Sequence, residues 1–287
     1  MISVALALIA AAGYGVSDFF GGIAARRVTA LRVVVVSYPF SVLLVLLIAP
    51  LVGGHADAAS VFWGLAAGVA SGLAVWWFYA ALADGPMSVV SPVTAVLVAG
   101  IPVIAGFFLG ERPGPLAVAG IALALVAVVL VSREAPDETT EEIIGGRELR
   151  FSRRVALLTV GSGAAFGFAF FFLHETSAEA GLWPLLAQRV AATVVVWTSA
   201  LAAGEFGGLH GEPLRLALAV GVLDVIANAA LLYAFHGSML SVVSVIGSLY
   251  PAATVLLAMV LLGERIGGLQ KVGMGLALAA VGMIAAN

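Results

Sequence analysis

Three ionisable residues interrupt long apolar stretches of the chain: Asp18, Arg189 and Asp224. A charge inside hydrocarbon is costly unless it is paired or faces water, so such residues are candidates for substrate binding, ion coupling or proton transfer. Asp224 lies near the centre of its stretch. Asn228 follows one helical turn later, which puts a carboxylate and an amide on one stripe. Arg189 directly follows Gln188, and a guanidinium facing a carboxylate across neighbouring helices would satisfy both groups. Two readings stand here: a structural ion pair that locks two helices, or a contact for substrate or coupling ion. Asp18, preceded by Ser17, lies toward the end of its stretch, where snorkelling to water competes with a role in a site.

Aromatic and hydroxyl side chains surround these charges in the sequence. Tyr14, Trp76, Trp77, Tyr79, Phe166, Phe170 and Tyr250 are suited to line a cavity for an organic substrate. Trp and Tyr near stretch ends serve equally as interfacial anchors, the reading favoured for Trp76, Trp77 and Tyr79. The run Phe168 to Phe172, broken only by Ala169, must face several directions and is read as lipid contact and packing. Ser91, Thr94, Ser244 and Ser248 lie beside Pro92, Pro102 and Pro251, which free backbone carbonyls that a cavity can use. Hydroxyls bonding to their own backbone are the simpler account. Gly64, Gly68 and Gly72 form a stripe that permits close helix packing, within the chain or between copies. Glu111 and Glu264 each precede an Arg in a turn, which suggests local capping or pairing.

The elements that must position these residues follow from composition. Of 287 residues, 62% are hydrophobic and 10% charged, with mean hydropathy +1.15. Soluble domains carry roughly 25% charged residues, so this is an all-α integral membrane protein. A helix needs roughly 20 residues to cross hydrocarbon. Apolar runs of that length recur at 3–23, 31–51, 58–82, 87–109, 115–132, 154–174, 182–203, 213–235, 239–262 and 267–286. The runs are unbroken, unlike the alternating strands of a barrel. The first has no basic region before it and reads as a retained helix, not a cleaved signal.

Eleven of the 29 charged residues fall between Arg133 and Arg154. This solvated linker, 133–152, divides the chain into five-helix halves, 1–132 and 153–287. The halves are related: sliding 81–132 onto 234–285 without a gap gives 19 identities in 52 positions. Ser88-Val89-Val90-Ser91 falls on Ser241-Val242-Val243-Ser244, and Leu109-Gly110-Glu111-Arg112 on Leu262-Gly263-Glu264-Arg265. An odd number of helices per copy forces the second copy to enter the membrane upside down. Inverted repeats put a site near the midplane between the halves, the architecture of secondary transporters.

Ten spans, the five-plus-five duplication and Leu-Gly-Glu-Arg closing the fourth span of each half resemble the drug/metabolite transporter superfamily, EamA family. The resemblance covers essentially the whole chain. It implies secondary transport of small metabolites, often export of amino acids or toxic compounds. Many members carry a Trp-Gly pair in the first span, where this chain has Gly13-Tyr14-Gly15-Val16-Ser17-Asp18. The family's substrates therefore guide little here.

The expected partners are the lipid bilayer, a small-molecule substrate and a coupling proton or ion. Nothing suggests nucleic acid, a metal or another cofactor. The alternatives are a channel, a structural membrane subunit or an intramembrane enzyme. For the last, the Gly-x-Gly-Asp, His-Glu-x-x-His and Gly-x-Ser-x-Gly motifs are absent. Loops one, three, five, seven and nine, with the span ends that adjoin them, hold eleven of the 13 Lys and Arg residues, and the even-numbered loops hold only Arg112. This bias puts the odd loops in the cytoplasm of the cell and both termini outside. The family resemblance implies the reverse.

Overall fold

The computed structural model describes residues 1–132, 143–144, 147–148, 152–263 and 267–286. Among the described residues eleven α-helices make up the bundle. They are α1 (Ile2–Ala25), α2 (Ala30–Val52), α3 (Ala58–Asp84), α4 (Met87–Phe108), α5 (Pro115–Ser132), α6 (Arg153–His174), α7 (Trp183–Ala202), α8 (Gly211–His236), α9 (Leu240–Gly247), α10 (Tyr250–Leu262) and α11 (Gly268–Ala285). Taking α9 and α10 as one broken span gives ten helices long and apolar enough to cross a membrane. Most of the linker, together with Glu264 and Arg265, lies outside the described residues. Within it, Ile143–Ile144 and Arg147–Glu148 form a two-residue antiparallel ladder.

The ninth span, expected over 239–262 with its ladder interrupted by Pro251, runs over Leu240–Leu262 and is broken into two helices. Pro251, in the first turn of α10, has no N–H to return to the preceding turn, and the helix breaks at Ser248 and Leu249. Elsewhere proline leaves the helix whole. Pro39 in α2 frees the carbonyl of Val35, and the Trp197 indole N–H of α7 donates to it at 3.0 Å.

Helix contacts repeat under exchange of the halves. The pair α1 and α8 corresponds to α6 and α3, and α4 on α6 corresponds to α9 and α10 on α1. Helices α2 and α7, α4 and α9, and α5 and α11 meet their own counterparts across the pseudo-axis. The connections separate by parity. On one side, here the even face, the His55 N–H donates to the Glu179 carbonyl at 3.3 Å, and the Ser177 N–H to Ser60 Oγ at 2.9 Å. Thr176 Oγ1 lies 3.1 Å from His236 Nε2 on the same side. On the odd face, Arg27 pairs with Glu212, Arg32 with Glu205 at 3.1 Å and Arg154 with Asp84 at 3.0 Å. Every such contact joins loops or helix ends of one parity, as an inverted five-plus-five arrangement requires.

The glycine stripe of α3 packs inside the chain. A Cβ at Gly64 or Gly68 would overlap the carbonyls of Pro184 or Gln188 on α7, and one at Gly72 would lie 2.7 Å from Val195 Cβ. Side-chain-free contact of this kind lets two backbones approach where no hydrophobic drive exists between helices.

Candidate functional site

Arg189 and Asp224 meet. The guanidinium of α7 donates to Asp224 Oδ2 of α8, and the two side chains are only 4% and 16% exposed. Asp224 lies 13 residues into α8, about 20 Å along a helix of about 39 Å, and so near mid-membrane. Asn228 holds it from the next turn, its Nδ2 donating to the Asp224 carbonyl at 2.8 Å and to Oδ1 at 3.1 Å. The shared stripe read from the i, i+4 spacing is therefore a bonded pair. Arg189 Nε and Gln188 Oε1, both buried, find no partner among the described residues.

The first half covers this pair with tyrosines. The Tyr38 ring of α2 lies 5.4 Å from the Arg189 guanidinium carbon in a cation–π contact. Tyr14 of α1 stands within electrostatic reach of both charges and packs edge-on against Tyr250 of α10, ring centroids 6.3 Å apart. Charges from the second half thus meet aromatic side chains from the first at the repeat interface. Tyr38 was not among the residues singled out from sequence. The available signal was a tyrosine between Ser37 and Pro39 in a mostly apolar stretch.

Asp18 of α1 is exposed on the bundle and lies within electrostatic reach of Asp224, Tyr79 and Tyr250. It stands seven residues before the end of α1, about 10 Å from the odd face, and so between that face and the Arg189–Asp224 pair. Ser17, its neighbour, is buried. Tyr79 therefore belongs with the central cluster, while Trp76 is exposed. Trp77 packs over Gly161 of α6, where a Cβ would lie 3.0 Å from its ring.

The hydroxyls divide. Ser248 Oγ bonds its own backbone at Val245, 2.8 Å away, as the simpler account expects. Ser91, Thr94 and Ser244 do not: their hydroxyl oxygens are buried on the crossing helices α4 and α9 with no partner among the described residues. Phe170 packs on Phe235 and Phe166 on the cluster around Val196, so both serve the core. Glu111 is a cap, but not a local one. Its carboxylate accepts the N–H groups of Leu240 and Ser241 at the start of α9, 129 and 130 residues away.

No curated protein matches the chain in sequence. One solved crystal structure superposes with a TM-score of 0.72 over 98% of this chain and 94% of the other, at 16% identity, which shows a shared fold alone. The model of the EamA-like transporter family matches twice, at residues 1–133 and 153–286, once for each half. With ten spans, two exchanged sets of helix contacts and two family matches, the chain belongs to the EamA-like transporter family.

Proposed function

We propose that the protein is a secondary transporter that exports a small organic metabolite across the cytoplasmic membrane by alternating access. The substrate class is an amino acid, a related metabolite or a drug-like compound. One observation carries the reading: the Arg189–Asp224 pair is buried mid-span on helices of the second half and roofed by Tyr14 and Tyr38 of the first. A buried pair that served stability alone would be replaced at little cost by apolar side chains of similar volume. The ungapped repeat register carries Asp224 onto Ser71, whose hydroxyl is satisfied within α3 by the Gly68 carbonyl at 3.1 Å. The fold itself therefore asks for no acid at this position.

The cluster suits a charged or zwitterionic organic molecule with an apolar body. Aromatic edges offer area, Arg189 Nε a donor, Gln188 Oε1 an acceptor and Asp18 a carboxylate on the route to the odd face. The bias of Lys and Arg assigns that face to the cytoplasm, and entry from there is export. Labelling single cysteines at Ser132 and Ala286 with an impermeant reagent in cells tests the assignment. Reaction of Ala286→Cys from outside supports it, and reaction only from the cytoplasm reverses the direction.

The function is tested by a thermal-shift screen of purified protein against amino acids, sugars, nucleobases and cationic drugs, followed by counterflow in proteoliposomes with any ligand that stabilises. A carrier drives transient uptake of labelled solute above its equilibrium level. Simple equilibration would mean a channel.

A further inference from the structure

We propose that Glu111 is the latch of a gate on the even face, a role that rests on the alternating-access reading. The latch is built from the chain reversal after α4. Gly110 takes φ +90°, a conformation that side chains disfavour, and the Glu111 N–H returns to the Gly106 carbonyl at 2.9 Å. The reversal aims the Glu111 side chain across the interface between the halves. One carboxylate oxygen accepts the Leu240 N–H and the other the Ser241 N–H at 3.0 Å. These are first-turn donors of α9 that have no acceptor inside their own helix. Negative charge there also meets the positive end of the helix dipole. Gly106 leaves the space: a Cβ at this position would overlap Glu111 Oε2. Arg112, the next residue, donates to the Glu111 carbonyl at 2.8 Å and thus stays on the α4 side.

The two bonds join α4 of the first half to α9 of the second, the helices that cross at the pseudo-axis. All eight residues of α9 are buried, whereas α10, the odd-face part of the same span, has no buried residue. The ninth span is therefore fully enclosed where Glu111 holds it and only partly covered beyond the break. Opening the even face requires α9 to part from α4, which breaks both bonds. Water can then replace the carboxylate at the freed N–H groups, so the latch biases the equilibrium between states without forbidding either.

The chain has no cysteine, so Ser244→Cys introduces a single thiol, buried one turn below the latch. In nanodiscs, where both faces are accessible, its reaction with a polar maleimide should be about tenfold faster with Glu111→Ala, the loss of a charge-assisted hydrogen bond being of that order. Leu240→Pro provides the second variant. Proline fits the first position of a helix, Met239 before it is already extended (ψ 141°), and the substitution removes one latch donor. It should accelerate labelling too. Unchanged rates in monodisperse Glu111→Ala overturn the latch; if that variant does not fold, unchanged rates in Leu240→Pro overturn it. Labelling needs no substrate, so the two readings fail separately. A transport defect with unchanged labelling removes the latch and leaves the carrier. Accelerated labelling in a protein that only equilibrates solute keeps the gate and removes alternating access.

Discussion

At the even face the halves meet through backbone: Glu111 holds the first N–H groups of α9, Ser60 accepts from Ser177, and glycines of α3 lie on carbonyls of α7. At the odd face the loops of the two halves meet through long side chains, and Arg27 with Glu212 is 60% and 51% exposed. Backbone contacts and caps are short, desolvated and fixed in register. Exposed arginine pairs are screened and give little net stability. The ninth span records the contrast in one element, fully buried in α9 and unburied in α10. The even ends of the halves are tied through backbone groups and the odd loops mainly through exposed ions, with Asp18 on the odd side of the central pair.

Breaking the tight side should have the largest effect. Gly68→Leu forces a side chain into the Gln188 carbonyl and should cost about 3 kcal/mol or more, seen as loss of monodisperse protein on size exclusion. Gly100→Leu, whose Cβ would meet nothing within 4 Å, should leave the elution profile unchanged. The next contrast sets two arginines side by side. Arg189→Ala strands a buried carboxylate and should destabilise by about 3–5 kcal/mol, whereas Arg27→Ala removes an exposed pair worth under about 1 kcal/mol. Thermal unfolding in detergent separates them, and equal shifts would erase the distinction between interior and surface pairs.

The smallest effect depends on pH. Hydrogen bonds from Ser60, its hydroxyl first and its backbone N–H second, hold the Asp57 carboxylate below the usual range at the start of α3. A carboxyl depressed in the folded state adds stability above its unfolded value and loses it as pH falls through the folded one. The melting-temperature gap between the parent and Asp57→Ala should therefore be present at neutral pH and close in strong acid. A gap constant down to acid would assign it to packing.

The spans were legible because hydrocarbon demands unbroken apolar runs, and the duplication because two polar tetrapeptides kept one register. Asp224, Asn228 and Arg189 could be grouped because i, i+4 spacing and charge in lipid are strong local signals. What failed was long range. The partner of Glu111 lies 129 residues away, and nothing around Glu111 points to Leu240. That Trp77 packs over Gly161 was not legible either, because position along a span does not reveal a neighbour on another helix. Tyr38 went unnoticed because its value lies in facing Arg189 across helices. Pro251 pointed to an interrupted ladder, but which proline breaks its helix was not legible, since Pro39 and Pro92 sit in helices that continue.

The central claim, that the Arg189–Asp224 pair is the working contact of a carrier, is tested most directly by Asp224→Asn. This variant keeps the shape and most of the hydrogen bonding while removing the charge. With a ligand that stabilises the parent protein, the account predicts that monodisperse Asp224→Asn shows no ligand-induced thermal shift and no counterflow. An undiminished shift and normal counterflow with the same ligand would contradict it.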